Sequence, residues 1–334
     1  MFRMKPLVVA AALSTVAAVP FAAAQQFPAR DLAGTIQWGA GGGTDVVSRA
    51  LTPLVEPILG KSIVLTNRPG GTGAIATVYV NSRPADGYNL LYGAENPNLY
   101  KVLGLADLDY GNFTAINIMA RGVTVIVVKA ESPYKSLKGL VDDAKKRPGQ
   151  VKMATTGTGG LPYMVGSLLK MATKLDVTQV PFDGDGPGIT ALLGGHVDFF
   201  PVAIGAAAEH VKAGRLRPLA VVNAEPVEIM PSAPPITNDY PEFKKYLPWG
   251  PFYGVFVKKE TPEPVKKTLI EAFKKAGADP RFVTILKNQG NVPMNIAGDE
   301  ADTFIKRTQS VSAWALQEAG ATKESPEKFG IPKP

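Results

Sequence analysis

The chain of 334 residues has no cysteine and only two histidines. The first absence removes disulfides, thiol nucleophiles and cysteine-ligated metals together. It also suits an oxidising compartment, where a stray thiol is a liability. The second leaves His196 and His210, neither of them in a metal-ligand spacing. No segment ends in G-K-[ST], so there is no P-loop, and no G-x-S-x-G nucleophile elbow is present. Tandem repeats and low-complexity tracts are missing as well. Without a visible pairing of nucleophile and base, the sequence points away from an enzyme. Catalytic residues, metal and cofactor are all expected to be none.

Long apolar runs are equally scarce. The exception, Leu7 to Phe21, follows the charges of Arg3 and Lys5 and precedes Ala22-Ala23-Ala24. A positive start, a short apolar core and small closing residues describe a secretory signal peptide, residues 1–24, with cleavage leaving Gln25 first. The run is shorter than the roughly 20 residues that span a bilayer. The mature chain is therefore expected in the periplasm, and in solution. Removing Arg3 and Lys5 leaves 34 basic against 29 acidic residues, so the formal +7 becomes +5. This mild excess is dispersed over pairs such as Lys145-Lys146 and Lys274-Lys275 in helix-like stretches. It fits a small anionic ligand and not nucleic acid.

What is present is an alternation. Short β-branched runs are expected as strands at 34–38, 62–66, 89–92, 123–128, 151–154, 179–181, 197–201, 216–223 and 254–257. Segments with helical spacing lie between and after them, from about Asp45 and at 74–80, 136–146, 163–171, 189–193, 264–276 and 299–316. Strands alternating with helices imply βαβ units and a mostly parallel sheet. A proline-rich passage from Pro226 to Pro251 breaks the regularity and is a candidate domain crossing.

Three glycine-rich loops each follow an expected strand: Gly39 to Asp45, Asn67 to Gly73, and Thr155 to Gly160. Such loops lie at the carboxyl ends of strands, where open α/β sheets bind ligands. Glycine lets the backbone come close, and a helix N-terminus favours negative charge. The first loop is no dinucleotide fingerprint, because Thr44 stands where the third glycine belongs. Asp183 and Asp185 sit among Gly184, Gly186 and Gly188 and read as turn chemistry. His196 is expected to begin a strand as a structural hydrogen-bonder. Trp38 abuts the first loop and is expected to wall a pocket, whereas Trp249, Phe252 and Tyr253 read as packing residues.

At these loops the sequence resembles the substrate-binding proteins of tripartite tricarboxylate transporters, the Bug family. The family pattern P-[FW]-x-x-G-G-x-x-D is answered by Gln37-Trp38-Gly39-Ala40-Gly41-Gly42-Gly43-Thr44-Asp45, with glutamine in place of the proline. E-N-R-P-G-A-G-G is close to Thr66-Asn67-Arg68-Pro69-Gly70-Gly71-Thr72-Gly73, and A-x-P-D-G-Y-T-L to Arg83 through Leu90. Ala154 to Gly159, Leu192 to Asp198, Gly214 to Val221 and Thr261-Pro262 continue the correspondence, in order, over nearly the whole mature chain.

The resemblance implies an α/β, type II periplasmic binding fold with a ligand cleft between two domains, 25–126 plus 249–334 and 127–248. It implies a small organic carboxylate, di- or tricarboxylic or aromatic, captured by a monomer and passed to membrane permease subunits; the alternatives are an exported α/β hydrolase-like enzyme and a periplasmic ligand sensor. The ligand-binding residues it points to in the first domain are Trp38, Ala40, Gly41, Gly42, Gly43, Thr44, Asp45, Asn67 and Asn96. In the second they are Thr155, Thr156, Gly157, Thr158, Gly159, Phe182, Asp183 and Ala203. Asp45 is expected as a helix N-cap and loop organiser. One departure stands out: Asp183 occupies a position where the family usually carries lysine, placing an acid near the cleft.

Overall fold

Two separate sheets, not one, arise from the strand–helix alternation, in a computed structural model that describes Met1 and residues 27–334. Apart from Met1, the expected signal peptide lies outside the described residues. The strands in chain order are β1 (Leu32–Ile36), β2 (Ile63–Asn67), β3 (Asn89–Gly93), β4 (Phe113–Arg121), β5 (Thr124–Lys129) and β6 (Lys152–Thr155). They continue with β7 (Thr178–Pro181), β8 (Phe199–Ala203), β9 (Leu216–Val221), β10 (Phe252–Lys258) and β11 (Val292–Ile296). The first sheet has the order β11-β4-β10-β3-β1-β2, the second β7-β6-β8-β5-β9. We call each sheet with its helices a lobe.

The sheets are mixed, which corrects the expectation of a mostly parallel one. Only β1 with β2 and β3, and β6 with β7 and β8, pair in parallel. The strands at the crossings, β4, β5 and β10, pair antiparallel with their neighbours. The chain passes from the first sheet to the second between Arg121 and Thr124, and returns through the proline-rich passage between β9 and β10.

Helices α1 (Gly43–Leu59), α2 (Ala74–Asn81) and α3 (Tyr100–Leu103) belong to the first stretch. Then come α4 (Leu137–Lys146), α5 (Leu161–Thr173), α6 (Asp185–Leu193) and α7 (Ile204–Lys212). The last three are α8 (Glu263–Gly277), α9 (Pro280–Asn288) and α10 (Gly298–Glu318). In α1, Val47, Leu51, Val55 and Leu59 recur every four residues and so form one buried stripe, which shares a core with Leu269 and Phe273 of α8. It stops at Gly60, in the left-handed region at φ 67°, where glycine carries no side-chain penalty. In the second lobe α4 and α5 cover one face of the sheet, packing with Ile126, Val128 and Phe199. On the opposite face α6 and α7 pack with Val125, Val127 and Phe200. The final helix straddles both: Ala301 and Ile305 join a core with Phe252 and Phe256, whereas Ala313 and Leu316 lie in the core of the second lobe.

Gln37, at the end of β1, replaces the family's proline and is fully buried. Its Oε1 accepts from the Ala94 N–H at 2.7 Å and its Nε2 donates to Thr77 Oγ1 at 2.6 Å. This amide therefore ties the first glycine loop to the segment after β3. Gln37→Leu, which orphans the Ala94 N–H, is expected to cost about 1–3 kcal/mol in urea unfolding. A loss near zero would show that the amide does not carry this connection.

Candidate functional site

Glycine at the start of three helices and alanine at that of a fourth, and the way their ends converge, define the site. Helix α1 follows Gly42, α5 follows Gly160, α6 follows Gly184 and α7 follows Ala203; none of these N-caps supplies a side-chain hydrogen bond. Their first N–H groups thus lack a side-chain cap; Ile204 of α7 donates to the Val123 carbonyl at 2.8 Å and the Gly43 peptide group acts on Asp185, whereas those of Thr44 and Leu161 have no such partner. Helices α2, α8 and α10 are also without side-chain caps, so the convergence, not the missing cap, marks the place. Gly42, Gly43, Leu161, Gly184, Asp185 and Ala203 all line one cavity between the sheets. The space inside open to water-sized spheres is about 40 Å³. Four helix N-termini directed at one small volume make a strongly anion-favouring field.

Asp45 shapes the first of these ends. It is the third residue of α1, not the N-cap expected from the sequence, because Gly42 occupies that place. Its role as organiser of the loop is explicit in the geometry. Oδ2 accepts from the Gly41 N–H at 3.0 Å, and Oδ1 accepts from Arg49 Nε at 2.8 Å and Asn67 Nδ2 at 2.9 Å. Asn67 Nδ2 also donates to the Trp38 carbonyl at 2.7 Å. The loop is thereby folded back on its own helix.

The remaining wall consists of Trp38, Thr44, Ala94, Glu95, Thr156, Pro251 and Tyr253. Trp38 and Thr156 also border a wider mouth of about 600 Å³, which Thr72, Gly157, Thr158, Phe182 and Asp183 help to line. Of the expected residues, Trp38, Gly42, Gly43, Thr44, Thr156 and Ala203 meet at the inner cavity, and Gly157, Thr158, Phe182 and Asp183 at the mouth. Ala40 and Gly41 are exposed at the rim, and Asp45, Asn67, Asn96, Thr155 and Gly159 stand behind the walls. Tyr253, expected as a packing residue, is part of the cavity wall. His196 is exposed in the turn before β8 and belongs to no strand, so it needs no buried partner.

The lobes touch across the cleft. Gly39 N–H donates to the Asp183 carbonyl at 3.3 Å, Thr72 Oγ1 to the Thr158 carbonyl at 2.8 Å and Asn96 Nδ2 to the Gly159 carbonyl at 2.9 Å. Glycine is needed for the first of these, since a Cβ on Gly39 would lie 2.7 Å from the Asp183 oxygen. Asp183 thus bridges through its backbone and is one of the residues that line the mouth.

The sequence reading missed Glu95 and assigned Asp185 to a turn, yet both line the inner cavity. Glu95 is 4% exposed; its Oε2 has no hydrogen-bond partner, and its Oε1 only a 3.4 Å contact from Asn96 Nδ2. Burial, with the nearby Asp185 charge adding to it, lifts its carboxyl from 4.5 to about 7. Burial likewise lifts Asp185 from 3.8 to about 6, against the pull of the peptide groups of Gly43 and Ala203. Among the described residues, no lysine, arginine or histidine belongs to this wall.

The sequence profile of tripartite tricarboxylate transporter family receptors matches residues 47–320. The chain belongs to this receptor family. It is similar to the protein BugT of Bordetella pertussis, 28% identical over 305 residues that cover 89% of this chain and 92% of BugT. The structure of the periplasmic binding protein BugD superposes with a TM-score of 0.80 at 25% identity, covering 92% of this chain and all of that one. MatC from Rhodopseudomonas palustris with bound malate superposes with a TM-score of 0.79 at 23% identity, over 88% of this chain and 100% of MatC. The two-lobed receptor fold is thus shared, and among the described residues no helix is long and apolar enough to cross a membrane.

A raised carboxyl makes the ligand-free receptor less stable as pH rises. Between its unfolded value of 4.5 and its folded value near 7, Glu95 holds more proton in the folded state, so stability falls across that window and stays low above it. Asp185 adds the same sign between 3.8 and about 6, and Tyr100, Tyr110 and Tyr253 are the other titratable groups that sense this pair. The Glu95 contribution is on the order of 3 kcal/mol. Glu95→Gln is expected to match the parent near pH 4.5 and to exceed its stability at pH 7.5. Urea titrations at both pH values check this; parallel profiles for the two proteins would refute it.

Proposed function

We propose that this chain is a periplasmic receptor that closes its lobes over a small molecule bearing a carboxylate and presents it to the membrane subunits of a tripartite transporter. The observation that carries the reading is the meeting of four helix N-termini at one small cavity between the lobes. Peptide N–H groups at Thr44 and Leu161, with the Thr156 hydroxyl, offer the donors that a carboxylate accepts from. The malate bound by MatC is a carboxylate of suitable size, which supports the same class here. Residues 25–126 with 249–334 form one closing domain and 127–248 the other. A signal peptide at 1–24 delivers the chain to the periplasm, and it works there as a monomer without catalysing a reaction.

Thermal unfolding of mature protein, first stripped of co-purified ligand by unfolding and refolding, tests this against a panel of aliphatic, aromatic and amino carboxylates. A ligand at 100 times its Kd adds about 2.7 kcal/mol, a clear rise in Tm. Thr156→Val should diminish that rise, and silence across the whole panel would refute carboxylate capture. Closure has its own test. Gly39→Ala places a methyl against the Asp183 carbonyl, and overpacking of this kind costs about 1–3 kcal/mol. Affinity should fall by about tenfold or more, with a larger radius of gyration in X-ray scattering of the liganded protein. Unchanged affinity would show that the Gly39 contact is not needed in the bound state.

A further inference from the structure

Glu95 is a buried carboxylate with an unused oxygen in the wall of the cavity meant for the ligand. Native proteins rarely leave such a group unpaired, because an unpaired buried acceptor costs stability that a partner restores. Nothing on the protein side supplies the partner: the wall holds a second acid, Asp185, and no basic side chain among the described residues. The helix N-termini do not resolve it either. The peptide groups of Gly43 and Ala203 act on Asp185, which places that acid against the ends of α1 and α7; the peptide groups of Glu95 and Phe252 and the Asn96 amide act on Glu95 but do not offset its burial, and Oε2 keeps no partner. A dicarboxylate seated here would add an anion beside two acids, and like charges repel more strongly the less water lies between them. A cation placed between Glu95 and Asp185 does the opposite and gives Oε2 its missing donor. Trp38 and Tyr253 add aromatic wall, which tolerates a cation better than a second anion.

We propose that the ligand of this receptor carries a cationic nitrogen, an ammonium or guanidinium group, held in the inner cavity between Glu95 and Asp185. Its carboxylate lies toward Thr156 and the mouth. This rests on the carboxylate reading given above and narrows it from di- and tricarboxylates to amino- and guanidino-carboxylates. The rival arrangement keeps Glu95 protonated, donating to a ligand carboxylate. The two differ in the sign of their pH dependence. Ionised Glu95 favours the cation, so affinity rises with pH through about 7; protonated Glu95 favours an anion, so affinity falls.

Calorimetric titration of the stripped mature protein separates them. The probes are β-alanine against succinate, and γ-aminobutyrate and 4-guanidinobutyrate against glutarate, each pair with the same spacer. At least one cationic probe is expected to bind at pH 7.5 about tenfold or more tighter than its dicarboxylate match, and tighter at pH 8 than at pH 5.5. Glu95→Gln, with Asp185→Asn as the second variant, should erase that preference while the variant still unfolds cooperatively. Dicarboxylates that bind more tightly than the cationic probes, or a cationic preference that survives both substitutions, would overturn this inference and leave carboxylate capture standing. Binding by neither set would bring both down.

Discussion

The positive potential of the cleft resides on peptide groups, not on side chains, and the rest of the architecture serves to bring those groups together. Each sheet contributes strands whose carboxyl ends feed glycine turns, and each turn starts a helix with its N–H groups uncapped. Such a field is strong only where water is excluded. That requires the lobes to meet, and they meet through glycine: Gly39 against the Asp183 carbonyl, and Gly186 with its Cβ position 3.0 Å from the Ala40 carbonyl. Side chains at these positions would hold the helix ends apart. Glycine content in the loops and electrostatics in the cavity are therefore one constraint.

Asp45 shows how a charge works for the site without entering it. By accepting from Gly41, Arg49 and Asn67 it fixes the path of the chain from Trp38 into α1. Its negative charge is spent on those donors, behind the loop. Glu95 and Asp185 are placed differently, inside the cavity wall, and they subtract from the field of the helices. Two acids and four helix ends thus share one cavity wall and act on it with opposite sign.

Much of this was legible in the sequence, and the gaps have physical causes. The glycine loops and the strands they follow were legible because glycine and β-branched runs leave local signals. β4 was not, because nearly every residue of Phe113–Arg121 is buried and no alternation shows. β11, an edge strand with Pro293 in it, resembles a loop for the reason that edges tolerate proline. In the site, the departure at Asp183 correctly flagged an acid near the cleft but was two residues out of register with the one that enters it. Gly184 and Gly188 disguised the start of α6 as a turn. Glu95 gave no signal at all, since one acidic residue between a strand and Asn96-Pro97 is ordinary until the fold buries it.

A site built on backbone amides also explains why relatives can share the fold and differ in cargo. Peptide N–H groups at helix ends survive almost any substitution, so the anion-favouring frame persists while sequence identity falls. The side chains that line the same space are few, here Trp38, Glu95, Thr156, Asp185 and Tyr253 among them. Changing two of these from neutral to acidic alters the net charge of the cavity by two without moving a helix. The likeness to a malate-bound neighbour accordingly speaks for the frame alone.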